Sequence, residues 1–315
     1  MKKKLEISSE IFEQIFLRHG LEGIRSIKEL HGGFANPAFL INEKYVLRTN
    51  DDVMHDRRDG FLRESTLYKF FEDLKFPAPR PVAVDITKAA FPFYYIINTY
   101  VKGEILSSIY PSLGDDLKVK IAVELGELMK RIHSITENDI RTNTGLFTWM
   151  TPWKDKQLAR FDQTYFQFNE HKNFLSSENK KTVDVIYKDY VEQISNDDIV
   201  FGLIHNDFHA NHVVVGKGKV TGIIDFEWAS FGDPLWDFQK LSTHLGEGSD
   251  AFFVNFLKGY GMETFSKKEL IRYKMYCIEQ AIWQIDRTKH SDHGFPEEGI
   301  RQGYEIIKKI NTLNS

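Results

Sequence analysis

Two acids and a histidine lie within one short stretch of the sequence, and their types suit phosphoryl transfer. Asp207 lies in a polar loop, Asp225 follows an apolar run directly, and His212 falls between them. Solvated acids are rare beside apolar strand segments, which favours a functional role for both carboxylates. In a magnesium-nucleotide site one such acid orients a substrate hydroxyl, while another holds the metal on the phosphates.

The residues around these acids predict a strand, a loop and a hairpin. Apolar residues 199–204 precede the loop, residues 213–215 follow it, 216–219 supply turn residues, and 220–224 form a second apolar run. This order would place Asp207 on the loop and Asp225 at the end of a hairpin strand. His205 is expected to anchor the loop, and Asp233 and Asp237 are expected to brace the helix that follows.

Length and composition limit the classes of protein to consider. The 315 residues are 42% hydrophobic and 27% charged, which fits one large or two ordinary folded domains. The single cysteine, Cys277, favours a reducing compartment. The basic start Met1–Lys4 is followed by polar residues rather than a signal-peptide core, and no apolar run approaches the ~20 residues that cross a bilayer. We therefore expect a cytoplasmic protein without membrane association.

The charge of the chain bears on its partners. The formal net charge of −4 gives no overall basic surface, so we expect no nucleic-acid partner. Residues 1–101 carry 15 basic and 14 acidic groups, and residues 102–315 carry 26 and 31. An acidic second part favours a cationic or neutral small-molecule acceptor over an anionic one.

The first hundred residues are interpreted as strands around one helix. Strands are predicted at 38–41, 45–48 and 91–101, with a helix over 61–74. Glu64 falls on the apolar face of that helix. Because an unpaired buried carboxylate is costly, Glu64 requires an internal cation.

Beyond Gly103 the periodicity becomes helical. Apolar spacings of three and four predict core-facing helices over 117–132, 161–174, 182–194, 269–285 and 302–310. The expected division is a small strand-rich lobe, 1–101, and a larger helical lobe, 102–315, with nucleotide bound in the crevice between them.

Five elements, in this order, resemble the aminoglycoside phosphotransferase and choline kinase family, relatives of the protein kinases. They are the Gly-rich turn with Gly32, Gly33 and Asn36, the strand Tyr45–Arg48, the helix with Glu64, the segment Asn98–Gly103, and the His205-x-Asp207 loop with Asp225-Phe226 and Gly232-Asp233-Pro234 behind it. The resemblance covers about residues 30–241. It implies an α+β, bilobal, protein-kinase-like fold.

The resemblance also implies a role for each matching residue. Asp207 would be the catalytic base and Asp225 a metal ligand, with His212 at a position where most of the family has asparagine. A histidine at this position resembles aminoglycoside 2″-phosphotransferases and macrolide phosphotransferases. The nucleotide would contact Gly32, Gly33, Asn36, Arg48, Glu64, the Thr99 carbonyl and the Val101 amide. The implied cofactors are Mg²⁺ and ATP or GTP. The implied acceptor is a hydroxyl of a small molecule, with aminoglycosides and other antibiotic-like amino alcohols among the candidates.

Two other interpretations stay open at this point. The set His205, Asp207, His209, His212 and Asp225 contains the ligand types of a transition-metal hydrolase. A non-catalytic kinase-like binding protein is the other, because Arg48 and His212 both depart from the commoner pattern. Asn211 competes with His212 as the metal ligand. The oligomeric state is not predicted.

Overall fold

The structure is a computed structural model, and it describes residues 7–30, 37–50, 58–144, 163, 177–196, 199–245, 249–290, 303 and 305–306. Gly32, Gly33 and Asn36 lie outside the described residues, as do nearly all residues of the helices predicted over 161–174 and 302–310. The chain divides into two compact units. The first comprises Met1–Ser108 and Asn211–Ala229, and the second comprises Ile109–Ala210 and Ser230–Ser315. The boundary predicted between residues 101 and 102 stays a prediction.

A five-stranded antiparallel sheet is the centre of the first unit. Its order is β1-β2-β3-β5-β4, with β1 Ile27–Leu30, β2 Ala38–Ile41, β3 Tyr45–Asn50, β4 Pro81–Asp85 and β5 Tyr94–Thr99. Side chains alternate across a strand, so Tyr45 and Leu47 share one face of β3 while Arg48 lies on the other. Tyr45 and Leu47 are buried in a core with residues of helix α1, Ser9–Arg18. The second helix of the unit, α2, spans Arg58–Asp73.

Helix α1 corrects the prediction of a single helix in the first hundred residues. Its buried residues Phe12, Ile15 and Phe16 are spaced three and one apart, which is a helical face. The exposed residues Glu10, Glu13 and Gln14 lie on the opposite face of the helix, and these polar residues hid the pattern. The strand predicted over 91–101 is also shorter than expected, because Phe91 and Phe93 precede β5 and stack on each other with ring centroids 5.7 Å apart. Their apolar character reflects core packing rather than strand pairing.

A small three-stranded sheet completes the first unit. It has the order β6-β8-β9, with β6 Glu104–Ile105, β8 Val213–Gly216 and β9 Lys219–Ile223, and it contains the predicted hairpin. Gly103 has φ of +150°, and a Cβ on it would lie 2.5 Å from the Val215 carbonyl oxygen. At the open end of the hairpin the Ile224 amide donates to the His212 carbonyl at 2.9 Å. This bond holds the two hairpin ends, and the residues beside them, together.

The second unit is mainly helical. Its helices are α4 Asp115–His133, α5 Glu137–Thr144, α6 Ser177–Asn196, α7 Phe238–His244, α8 Ser249–Tyr260 and α9 Lys267–His290, and a short helix α3, Leu106–Ile109, crosses the unit boundary. Strands β7 Gly202–Ile204 and β10 Ser230–Gly232 pair antiparallel on the two sides of the predicted catalytic loop. The helices predicted over 117–132, 182–194 and 269–285 are confirmed. In the described part of the chain, no helix has both the length and the apolarity to span a membrane.

Helices α4 and α8 pack backbone to backbone through two glycines. A Cβ on Gly126 would lie 2.1 Å from the Phe256 carbonyl oxygen, and one on Gly259 would lie 2.0 Å from the Val123 carbonyl oxygen. Both distances are far below van der Waals contact, and the opposing atoms belong to the rigid backbone. Only glycine therefore permits this helix spacing.

We expect Gly126→Ala to separate α4 from α8 and to lower the free energy of unfolding by about 1–3 kcal/mol, the usual cost of overpacking. Urea denaturation monitored by circular dichroism measures the change. Gly23→Ala is the matched control, because a Cβ there meets nothing within 4 Å. Equal stability of the two variants would contradict the packing argument.

Candidate active site

One arginine connects two carboxylates in the first unit. Arg48 donates through Nη2 to Glu64 Oε2 at 2.5 Å and through Nη1 to Asp225 Oδ1 at 3.0 Å. The Asn98 side chain donates to the other Glu64 oxygen at 3.0 Å. These four residues come from four different elements: strand β3 holds Arg48, helix α2 holds Glu64, strand β5 holds Asn98, and Asp225 follows the β8–β9 hairpin. The predicted internal cation for Glu64 is confirmed, and it is Arg48.

Burial and crowding by like charges control the ionisation of Glu64. Its side chain is 1% exposed. Burial, aided by the charges of Asp225 and Glu227, raises the pKa of Glu64 to about 7, although the Arg48 guanidinium acts in the opposite direction. Burial by itself would lower the pKa of Arg48, but the surrounding carboxylates outweigh it and raise that pKa well above its usual value. Arg48 is thus permanently charged beside an excess of acids.

Asp225 lies at the end of the hairpin in an unusual backbone conformation. Its φ of 69° and ψ of 56° are left-handed, which a non-glycine residue adopts only when its surroundings fix it there. The Asp225 amide donates to the Tyr68 hydroxyl of α2 at 2.9 Å. His212 Nε2 lies 3.3 Å from Asp225 Oδ2. The predicted pair of metal ligands is therefore adjacent in the first unit.

Asn211, the competing candidate ligand, is placed differently. It is exposed, and its Oδ1 accepts a hydrogen bond from the Ser107 hydroxyl. Its side-chain oxygen is thus engaged with Ser107, whereas the imidazole of His212 faces Asp225. The metal-ligand role of either residue stays a prediction.

Glu227 and Arg63 belong to this cluster, and the sequence analysis missed both. Glu227 is 6% exposed, and its carbonyl accepts a hydrogen bond from Arg63 Nη1 at 2.5 Å. A Cβ on Gly60 of α2 would lie 3.3 Å from the Glu227 Cβ, so the glycine permits close approach. The available signal was the spacing of Glu227 two residues after Asp225. That spacing cannot indicate which arginine of a distant helix contacts it.

The other predicted acid, Asp207, belongs to the second unit. Its side chain is 27% exposed, its Oδ1 accepts a hydrogen bond from the Lys240 ammonium, and its Oδ2 lies 3.8 Å from His209 Nε2. Asn206, directly before it, has a φ of 67°. Few non-glycine residues adopt a left-handed φ, and those that do cluster in turns and at functional sites.

The side chain of Asp237 holds the loop that carries Asp207. Its carboxylate accepts hydrogen bonds from the His205 amide at 2.7 Å and the Asn206 amide at 2.8 Å, and it contacts His133 Nε2 at 3.1 Å. The expectation that Asp237 braces the following helix was wrong, because its side chain makes no capping bond to that helix. Asp237 thus supplies an acceptor for both loop amides.

Asp233 fulfils the bracing role expected of it. Its Oδ1 accepts from the Leu235 amide at 3.1 Å, and its Oδ2 accepts from Arg272 at 2.7 Å and from the Tyr276 hydroxyl at 2.8 Å. These bonds attach the segment that precedes α7 to helix α9. The pair Asp233 and Asp237 thus connects the loop and two helices of the second unit.

The segment whose backbone is predicted to contact the nucleotide begins at the end of β5, an interior strand of the first sheet. Thr99 ends β5 opposite Tyr45, and its hydroxyl accepts from the Arg80 amide at 2.8 Å. Val101 packs on Gly222, where an added Cβ would lie 2.8 Å from Val101 Cγ1. The backbone role predicted for Thr99 and Val101 stays a prediction.

Known proteins resemble this chain in sequence. The model of a family described as "Phosphotransferase enzyme family" matches residues 26–271. Hygromycin-B 4-O-kinase of Escherichia coli is 22% identical over 252 residues, which are 76% of this chain and 68% of that protein.

Solved structures resemble the chain along nearly its whole length. The streptomycin-ATP-APH(2″)-IIa ternary complex has a TM-score of 0.65 at 24% identity, with 97% of both chains covered. The GDP and kanamycin complex of APH(2″)-IIIa has a TM-score of 0.75 at 20% identity, with 98% of this chain and 100% of that chain covered. The predicted fold class, α+β and protein-kinase-like, is confirmed.

We expect Glu64→Gln to remove a pH dependence of stability. A raised pKa in the folded state means that Glu64 contributes stability at acidic pH, and this contribution is lost as the pH rises from the ordinary carboxyl pKa of 4.5 through about 7. The melting temperature of the wild type minus that of the variant should therefore fall across this interval. Thermal unfolding in a pH series measures it. Glu72→Gln removes an exposed carboxylate of the same helix and serves as the control, and a flat difference for Glu64→Gln would refute the assignment.

Proposed function

Because the chain belongs to the phosphotransferase enzyme family, whose members are small-molecule kinases, we propose that it moves the γ-phosphoryl group of magnesium-bound ATP or GTP to a hydroxyl of a small molecule. The observation that carries the proposal is the contact of Arg48 with both Glu64 and Asp225. In kinases a basic residue at this point of the third strand pairs with a helix acid and binds donor phosphate. A transition-metal hydrolase would leave these contacts without a purpose.

Arg48 is the proposed phosphate contact of the donor site. Its planar guanidinium can bind two oxygens at once, so one edge can stay on Glu64 while the other turns from Asp225 to phosphate. Gly32, Gly33 and Asn36 would cover the phosphates, and the Thr99 carbonyl and Val101 amide would bind the base. The named complexes of similar proteins contain ATP in one case and GDP in the other, and both nucleotides stay candidates here.

The proposed metal ligands fit one ion. Asp225 Oδ2 and His212 Nε2 are 3.3 Å apart, close to the about 3 Å between neighbouring ligands of an octahedral Mg²⁺. Asp225 supplies the oxygen that Mg²⁺ prefers, while imidazole is a less usual ligand for it. The ion, when bound, neutralises the negative charge of the phosphates during transfer. Arg48 contacts the other oxygen, Asp225 Oδ1, so the ion would bind at Oδ2.

Asp207 is the proposed base. A bond forms between the acceptor oxygen and the γ-phosphorus, the bond from that phosphorus to the β–γ bridging oxygen breaks, and the hydroxyl proton passes to Asp207. Asp237 keeps the loop amides of His205 and Asn206 in place, so that the Asp207 carboxylate points at one position. Orientation of the nucleophile accounts for much of the acceleration in this reaction class.

The proposed acceptor is a cationic or neutral small molecule with a free hydroxyl. The excess of acids in residues 102–315 favours such a molecule electrostatically. Relatives are named for hygromycin B and solved with streptomycin or kanamycin, which makes these the first compounds to test. A nucleotide donor and a single cysteine favour a cytoplasmic location.

The proposed function is tested by incubating the protein with Mg-ATP or Mg-GTP and hygromycin B, streptomycin, kanamycin or neutral polyols, with coupled detection of ADP or GDP. We expect acceptor-dependent release of ADP or GDP.

Asp207→Asn should cut turnover at least ~100-fold and leave nucleotide binding intact, since it removes general base catalysis. Asp225→Asn should weaken binding of the metal-nucleotide, seen as a smaller rise of melting temperature. The exposed Asp73→Asn serves as control. Reversed effects of the two variants would overturn the role assignment, and no melting shift with either nucleotide would overturn the function.

The His212 assignment has its own test. We expect His212→Ala to raise the magnesium concentration for half-maximal rate strongly, because it removes a nitrogen adjacent to Asp225 Oδ2. Asn211→Ala should change it little, because the Asn211 oxygen is bonded to Ser107. Rates are measured across a magnesium titration at saturating nucleotide. A large increase only in the Asn211 variant would show that the asparagine is the ligand.

A further inference from the structure

A lysine contacts the proposed catalytic base directly. The Lys240 ammonium donates to Asp207 Oδ1, and both side chains are largely shielded, with 16% of Lys240 and 27% of Asp207 exposed. The two residues are thirty-three positions apart, on the loop after β7 and on helix α7 of the same unit. Neither the motif around Asp207 nor the sequence of α7 indicates this contact.

Neighbouring elements of the second unit restrict where the ammonium can go. Lys240 Nζ lies 5.5 Å from the centroid of the Trp283 ring of α9, within cation–π distance. Residues 238, 239 and 241, its neighbours on α7, are buried, so the helix cannot turn to swing the lysine away. The ammonium is thus confined between an indole ring and a carboxylate.

The contact leaves the two oxygens of Asp207 unequal. Oδ1 is engaged by Lys240, while Oδ2 faces His209 Nε2 at 3.8 Å, beyond hydrogen-bonding distance. A carboxylate with one oxygen fixed cannot rotate freely, and its second oxygen has a defined direction. The Lys240 contact therefore sets the direction of the whole Asp207 carboxylate.

We propose that Lys240 is a positioning residue for phosphoryl transfer. It holds Asp207 through Oδ1 and so fixes the direction in which the carboxylate accepts the proton of the acceptor hydroxyl as the new oxygen–phosphorus bond forms. The proposal rests on the proposed function. An ordinary exposed ion pair would have little effect on either stability or rate. Lys240 differs because its partner is the proposed base and because the Trp283 ring restricts the positions that its ammonium can take.

The test compares Lys240→Met with Lys240→Arg. The methionine keeps the length of the stem and removes the charge, and we expect kcat to fall at least ~10-fold through loss of orientation while the nucleotide KM stays within about twofold. The arginine keeps a donor for Oδ1 and should restore most of the rate. Lys258→Met, which removes an exposed lysine of α8, should behave as wild type. A normal kcat for Lys240→Met, or an equal loss in the arginine variant, would overturn the proposal.

A second arm asks whether the lysine acts through Asp207. In the Asp207→Asn background, Lys240→Met should change the residual rate by less than about twofold, because residues that act as a unit are not additive. A further large loss would show that the lysine acts on another group, and would overturn the positioning role.

A double-mutant cycle, measured on stability, distinguishes failure of the positioning role of Lys240 from failure of the proposed function. If the wild type transfers phosphate to no acceptor, the function fails and the kinetic arms no longer apply. The urea midpoints of wild type, both single variants and the double variant then decide whether Lys240 holds Asp207. We expect the double variant to lose less than the two single losses combined. Additive losses would overturn the proposal independently of activity.

Discussion

The burial of a single carboxylate, Glu64, governs the organisation of the first unit. A charged acid cannot stay in a protein interior without a cation and hydrogen-bond donors, and Arg48 and Asn98 supply them. These partners come from two adjacent strands, so the pairing ties α2 to the sheet at one defined point. Because Arg48 also reaches Asp225, the position of the hairpin end depends on the same guanidinium.

In the second unit the corresponding task is to hold the loop that carries Asp207. Asp237 accepts hydrogen bonds from two amides of the loop after β7. His133 of α4 contacts the same carboxylate, and Asp233, four residues earlier, is joined to α9. Asp207 is therefore positioned by the hydrogen bonds that hold the backbone beside it and by Lys240 at its own oxygen.

Much of this could be predicted from sequence where the information is local. The hairpin, helix α2 and the need of Glu64 for a cation all follow from short-range periodicity and the cost of burying charge. Lys240 could not be found in this way, because a lysine at helical spacing has no feature that distinguishes a solvated side chain from one aimed at a distant acid. Asp237 was misassigned for a related reason. Its place before a helix indicates a cap, and only the fold brings the loop amides closer than the helix amides.

The hairpin that ends in Ile224 also makes the spacing of His212 and Asp225 independent of the rest of the chain. The two residues are connected by a short contiguous segment whose ends are fastened by one backbone hydrogen bond. Closing so short a loop costs little chain entropy, and its contacts are local in sequence. The distance between the imidazole and the carboxylate is thus set by the segment itself. An insertion elsewhere in the chain would therefore leave this distance unchanged.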